Sequence, residues 1–532
     1  HSWLGVVTCR MQEGRPGRFR WCRSPQDGDS LVAITFYNYL TRRKEEFVPL
    51  HDPFVGMYVC GPTVYDLPHL GHAKTYVAFD TIVRYLRHRG YKVLYVQNIT
   101  DVGHLTDELA GEGEDKIIAR ARLRQVHPMQ LAETYTREYF RAMDALGVLR
   151  PDISPRAAGH IPEIIALVQK LIEKGHAYES NGSVYFDVST FPEYGKLSHR
   201  EVNAASEEES RVAQEEKRHP ADFAIWKRAE PEHILQWPSP WGMGFPGWHI
   251  ECSAMANKYL GATVDIHGGG IENIFPHNED EIAQSEAAND APYVRYWLLT
   301  GSLKIGGQKM SKSLGNFVTI EQALENHSAE ALRFYLLQAH YASPIDFSWD
   351  PERKVSPSIE EAQRGLDRLY GALRAADEWL QGAPPAAEGE ASADAQALEA
   401  RRAESHAEFY EAMDDDCNTP RAIAVLFTLA AAINRFATGA VPAAGTDRAI
   451  VQAARDELCV LAGVLGLLEQ GAVQESAATD LDAVIEKIIA WRQDARQRKE
   501  FALSDRIRDD LRDVGILLED HPGGKTTWKR AR

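Results

Sequence analysis

The sequence predicts an α/β fold: a parallel-sheet domain split by an insertion, followed by an all-α helical bundle and a small C-terminal module. Three observations carry this. A strand, an amphipathic helix and a second strand follow one another from about residue 55. The same alternation resumes after about residue 246, and beyond residue 318 the pattern becomes helical, broken by two linker-like stretches.

Residues 1–30 contain basic residues but no continuous apolar core of the kind a secretory signal has. They are expected to be a disordered or non-native extension, with the folded protein starting near Leu31. The first half of the split domain, 31–149, contains the apolar strand VGMYVC, the helix GHAKTYVAFDTIVRYLRHRG ended by Gly90, and the strand YKVLYVQNIT. That is a βαβ unit, which requires a parallel pair and a right-handed crossover. Residues 115–147 read as helical.

Residues 150–245 mix helix, hairpin-like SNGSVYFDV and charged loop, as an insertion does. Residues 246–317 restore the alternation through ATVDIHGGG, a helix from about 277 and YVRYWLLTG. The two halves make a Rossmann-like domain whose crevice lies at the carboxyl ends of its strands. A helical region at 318–381 follows, then GAPPAAEGEASADAQ at 382–396, with the Pro, Gly, Ala and Glu content of a solvated linker. Residues 397–470 read as a helical bundle and 471–485 as a second linker. The terminal module, 486–532, holds 12 Lys/Arg against 9 Asp/Glu.

Composition narrows the function classes. The chain has 532 residues, 44% hydrophobic and 26% charged, enough for several cores. Its longest apolar run, 422–433, contains Thr428, falls short of the ~18 residues of a membrane span and reads as a buried helix. Six scattered cysteines lack the density of a disulfide scaffold, so a reducing cytoplasm is expected. A net charge of −18 argues against a nonspecific coat on nucleic acid, while leaving room for RNA on a local patch.

Two segments suggest chemistry. HLGH at 69–72 begins a helix after a strand, where backbone N–H groups and the helix dipole attract anions. Gly71 allows close approach, and His69 and His72 could donate to a phosphate or ribose. A capped helix start with two solvated histidines remains the other reading of so short a string. KIGGQKMSKSLGN at 304–316 places Lys309 and Lys312 in a Gly- and Ser-rich loop, suited to cations that swing onto a polyphosphate. Ordinary loop lysines are the alternative, but the two motifs together, flanking an insertion, make it a poor one.

HLGH and KMSKS resemble the signature motifs of class I aminoacyl-tRNA synthetases. MYVCGPTVYD, QNITD, GWHIECSAM, FPHNEDEIAQS and EDHPGGKTTW narrow the likeness to the cysteinyl-tRNA synthetases, from about residue 32 to 530. The resemblance implies a catalytic split domain with ATP bound by His69, Gly71, His72, Lys309, Ser311 and Lys312, among which both histidines and both lysines are catalytic. Cys60, Cys252, His277 and Glu281 are competent zinc ligands by type. Without a CxxC pair, their spacing alone leaves buried cysteines and a surface His/Glu pair open; the resemblance assigns all four to one Zn2+ per chain. It further places Gly61, Thr100, Trp248 and His267 in the amino-acid pocket and the tRNA anticodon at the terminal module, where Trp528 could stack a base and Lys529 and Arg530 hold phosphate. The residues 318–381 become the stem-contact region.

The implied substrates are cysteine, ATP with Mg2+, and tRNA(Cys), joined through a cysteinyl-adenylate by a cytoplasmic monomer with no membrane partner. A zinc-bound thiolate would separate cysteine from serine without an editing domain. Four departures stand out: Asn278 follows His277 where the family has a second histidine, Phe245 replaces a common arginine, the segment after NITD is longer, and Cys417 replaces an aromatic. A cysteine ligase acting on an aminosugar shares the core but resembles a truncated synthetase. A catalytically silent RNA binder would be expected to have damaged motifs, and these are intact.

Overall fold

The computed structural model describes residues 33–102, 105–107, 112–200, 216–231, 233–310, 316–383, 390–439, 445–469, 485, 487–496, 498, 500–513, 516–520 and 526–530. The expected extension at 1–30 and most of the second linker lie outside them.

Four strands form the central sheet: β1 (Phe54–Val59), β2 (Lys92–Gln97), β3 (Val264–Gly270) and β4 (Val294–Thr300). Their order is β2-β1-β3-β4, all parallel. Helix α1 (Leu70–His88) connects β1 to β2, and α2 (Trp248–Leu260) leads into β3, which α3 (Glu279–Asn289) connects to β4. The β1-to-β2 and β3-to-β4 crossovers leave in opposite directions, so the crevice opens where β1 and β3 end side by side. Val55, Met57, Tyr58 and Val59 are all buried, as both faces of a helix-covered parallel strand must be.

The insertion is an antiparallel sheet of its own, in spatial order Ala177–Ser180, Ser183–Phe186, Phe223–Arg228, Gly242–Pro246 and Trp237–Ser239, with its core around Ile164, Val168 and Trp226. Before entering it the chain runs beside β2, where Gln97 N donates to Ile153 O at 3.0 Å and Ile99 N to Pro155 O at 2.8 Å. Residues 152–157 thus extend the central sheet past the junction that composition places at 150.

Two stretches differ in detail from the expectation. The helical stretch 115–147 is two helices, Lys116–Arg124 and Pro128–Ala145, because Gln125 turns left-handed at φ 54° and Pro128 restarts the helix. Helix Ala393–Asp414 begins inside the linker-like stretch, because Ser392 accepts from Ala395 N and Ala395 and Leu398 are buried. That helix packs against Thr419–Gly439 and Gly445–Val464, which in turn pack against Pro357–Gly382 to form the bundle. Thr419–Gly439 is the one described helix long and apolar enough to cross a membrane, yet its Ala422, Leu426, Leu429 and Ile433 lie in the core. Thr428 faces outward at the rim of that core.

One apolar cluster runs from α1 (Val77, Phe79, Val83) into the bundle (Leu366, Leu426, Leu461). At its centre lies a charged knot. Arg333 donates to Asp80 of α1 and to Leu465 O at 2.8 Å, while Arg84 Nε meets the same carboxylate at 2.8 Å and Leu149 N donates to it at 2.8 Å. Asp80→Asn would leave two guanidinium groups without their shared counter-charge, and a loss of ~3–5 kcal/mol is expected, as when one member of a buried pair is removed. Urea unfolding measures it, and an unchanged midpoint would refute it.

Candidate active site and metal centre

Four potential ligands converge at the crevice. The sulfur of Cys60, just past β1, that of Cys252 in α2, a nitrogen of His277 before α3 and an oxygen of Glu281 in α3 all lie within 4.8 Å of one another, and all four residues are buried. Glu281 Oε1 is 3.1 Å from His277 Nε2 and 3.6 Å from Cys60 Sγ. Its other oxygen accepts from His267 Nε2 at 2.9 Å and Tyr293 OH at 3.0 Å. One carboxylate oxygen is therefore anchored while the other faces the sulfurs, the arrangement by which supporting hydrogen bonds orient a ligand.

The electrostatics favour a cation here. A hydrogen bond from Cys60, with His277 assisting, lowers the Cys252 thiol to about 6, and the same hydrogen bond pushes Cys60 well above its ordinary value. Burial opposes the His277 shift, yet the Cys252 thiolate and Glu281 raise its imidazole to about 10. Burial also opposes the Glu281 shift, but His267 and His277 hold its carboxyl below the usual range. Both ring nitrogens of His277 are buried, and beyond the 3.1 Å approach of Nε2 to Glu281 Oε1 neither makes a well-directed hydrogen bond. Buried nitrogens in that condition, beside two sulfurs and a carboxylate, fit a metal of the zinc type.

Around the four, Trp248 opens α2 with its ring centroid 4.1 Å from that of His277. Gly61 N donates to Asn98 Oδ1 at 2.7 Å, and a Cβ at Gly61 would fall 1.5 Å from Asn98 O, so only glycine permits this approach. Asn98 Nδ2 in turn donates to Thr100 Oγ1 at 3.1 Å. Asn278 Nδ2 donates to Glu281 Oε1 at 3.2 Å, so this departure still supplies a hydrogen bond to the candidate ligand. Phe245 is buried and stacks on His233 with centroids 4.2 Å apart.

The HLGH segment sits beside this cluster. His69 is the N-cap of α1, its Nδ1 accepts from Gly71 N at 3.1 Å, and His72 Nδ1 accepts from His69 N at 3.2 Å. Both readings of the motif thus meet in one structure: it is a helix cap, and its capping fixes the rings. With each Nδ1 accepting, the proton of each neutral imidazole is on Nε2. The rings stack at 3.8 Å, and His72 stacks in turn on Tyr76, whose OH donates to Cys60 O at 3.1 Å.

The other predicted site residues are less fully placed. The backbone of Lys309 pairs with Lys304 in a hairpin that lies against Ile345–Phe347, while Ser311 and Lys312 lie outside the described residues. His69 pairs with Thr319, just after that loop, so the two motif segments are neighbours. Trp528 lies opposite Leu518 in a hairpin against helix Phe501–Asp513, and the backbone of Lys529 and Arg530 continues the same strand.

The likeness to known proteins follows the same lines. Residues 46–355 match the family model of the class I (C) tRNA synthetase catalytic domain, and 408–469 match the DALR domain. The cysteine–tRNA ligase of Chlorobaculum tepidum is 49% identical, with 94% of this chain and 100% of that one aligned. The chain belongs to the cysteine–tRNA ligase family. The ligase of Deinococcus radiodurans is 48% identical over 93% of this chain and 97% of its own. Among solved structures, Mycobacterium tuberculosis methionyl-tRNA synthetase in complex with methionyl-adenylate superposes with a TM-score of 0.56 at 19% identity, covering 81% of this chain and 93% of that one, which supports the shared class I fold. For a cysteine–tRNA ligase, sequence reasoning missed Tyr293 and Asn98. Tyr293 immediately precedes β4 and reaches Glu281 only because the chain folds back from α3 into that strand; no spacing announces it.

Proposed function

We propose that this chain ligates cysteine to tRNA(Cys) in two ATP-dependent steps, with a zinc ion held by Cys60, Cys252, His277 and Glu281. The observation that carries the reading is the convergence of those four donors at the end of β1, linked through Tyr76 to the HLGH rings. Zinc in that donor set would bind a thiolate strongly and favour its deprotonation, whereas serine's alcohol is a far poorer ligand. A hydrophobic pocket alone separates such near-isosteres only ~10- to 200-fold.

This chain's residues take the remaining roles. Trp248 walls the side-chain pocket against His277, and Gly61 and Thr100 form its floor through Asn98. His267 acts through Glu281, holding one oxygen so that the other would face the zinc ion. As the cysteine carboxylate attacks the α-phosphate of ATP, charge grows on the phosphate oxygens. His69 and His72 would answer it through Nε2–H, and Lys309 and Lys312 through their ammonium groups, with Mg2+ accompanying the nucleotide. The terminal ribose hydroxyl of the tRNA then takes the cysteinyl group.

Cysteine-dependent ATP–pyrophosphate exchange, run beside serine with zinc determined on the same sample and followed by tRNA charging, tests the reading. Cysteine-specific exchange, about one zinc per chain and charged tRNA are expected. Exchange without charging would point to another cysteine acceptor, and no exchange would overturn the reading. Trp528→Ala is expected to lower tRNA charging about tenfold, a stacked base being worth ~1–3 kcal/mol, while pyrophosphate exchange is unchanged. A matching loss of exchange would contradict its placement at the tRNA.

A further inference from the structure

α1 holds both ends of the arm that carries KMSKS. At the exit, Leu70 N donates to Val318 O at 3.1 Å and Ile320 N to Pro68 O at 3.1 Å. At the entry, one turn further along α1, Lys74 Nζ donates to Gly301 O at 2.6 Å and to Tyr341 O at 3.0 Å, while Thr75 Oγ1 and Thr300 Oγ1 are 3.0 Å apart. Gly301 N donates to the same Tyr341 carbonyl at 2.9 Å, and Ile345 N to Ser302 O at 3.0 Å, so Lys74 sits where the arm and its supporting strand meet.

The choice of residue is telling. Lys74 is 4% exposed, and burial lowers its amine to about 8, partly offset by Glu272. Among the described residues no carboxylate forms an ion pair with it. A buried ammonium whose acceptors are carbonyls is a costly brace where an apolar contact would hold two packed elements together. What it adds is direction: two short donations to carbonyls on the two chains that define the root of the arm.

We infer that Lys74 is a positioning residue for adenylate formation, setting the arm that bears Lys309 and Lys312 at the correct distance from His69 and His72. The inference rests on the proposed phosphate-binding role of those two segments. It separates Lys74 from the residues that contact substrate: the α-amino acid is held on the metal side of the crevice, so a shift of the arm reaches the phosphates and leaves cysteine binding alone.

The test is steady-state ATP–pyrophosphate exchange for Lys74→Met, Lys74→Arg and His72→Asn beside the parent, with zinc content and thermal unfolding on each. Lys74→Met keeps the stem and removes both donations, and kcat is expected to fall about 100-fold, the cost of a misplacement of ~1 Å. KM for cysteine and zinc content should stay within about twofold, and Lys74→Arg, which restores donors, should recover at least about tenfold. Thr75→Val, which loosens the same root without touching Lys74, should lower kcat in the same direction and decides the matter if Lys74→Met does not fold. Parental kcat in Lys74→Met with His72→Asn impaired would overturn the inference alone. Full activity in His72→Asn would overturn the phosphate-binding reading and this inference with it. Loss of cysteine affinity or zinc in step with kcat would mean that Lys74 only supports the fold.

Discussion

Replacing Cys252 with alanine is expected to remove zinc and cysteine activation together. Cys252 is 1% exposed in α2, and its sulfur lies within 4.8 Å of the other three donors, so alanine leaves an incomplete set. Loss of even an outer partner of a metal ligand costs 10- to 100-fold, so the loss of a ligand should exceed ~100-fold in cysteine-dependent exchange. Zinc content should fall from about one per chain to near zero in the same preparation. The discrimination against serine should shrink as well, because what remains is a pocket that separates the two by size alone. Far-ultraviolet circular dichroism, expected to match the parent, shows that the fold survives. Full activity in a zinc-free Cys252→Ala protein would remove the metal from the mechanism.

The second large effect is expected at His72, where the substitution can be chosen to leave the helix intact. His72 Nδ1 accepts from His69 N, and the side-chain oxygen of asparagine can accept there in its place. His72→Asn therefore keeps the cap and deletes the Nε2–H donor. Removing one donor to a developing negative charge costs ~100- to 1000-fold in kcat, and that drop is expected in exchange, with cysteine KM and zinc unchanged. His72→Ala loses the cap as well, so its unfolding midpoint should fall while that of His72→Asn does not. Equal stability losses in the two variants would assign His72 to the helix rather than to the phosphates.

Much of the fold is legible in the residues themselves. Strands, helices and their punctuation depend on neighbours a few residues apart, and β1, α1 and β2 lie close to where periodicity and Gly90 put them. The capping histidines are equally local, since His69 and His72 satisfy each other's backbone within three residues. Elsewhere local signals misled in small ways. The composition of 382–396 reads as linker, yet Ser392 caps a helix at Ala393, because burial of Ala395 and Leu398 outweighs the helix-poor composition before them.

The family, the order of elements and the types of donor available follow from sequence alone, because motif identity and periodicity are written in adjacent residues. Which of those donors meet is a matter of tertiary structure. Cys60 and Cys252 stand 192 positions apart in the chain and become neighbours only when β1 and β3 pair at the switch in strand order. Tyr293 and His267 turn one oxygen of Glu281 toward the sulfurs, and Lys74 finds Gly301 and Tyr341, for the same reason. Such contacts are fixed by how the sheet is ordered and the helices are laid on it, and a side chain far along the chain carries no local mark of the partner that this packing will bring to it.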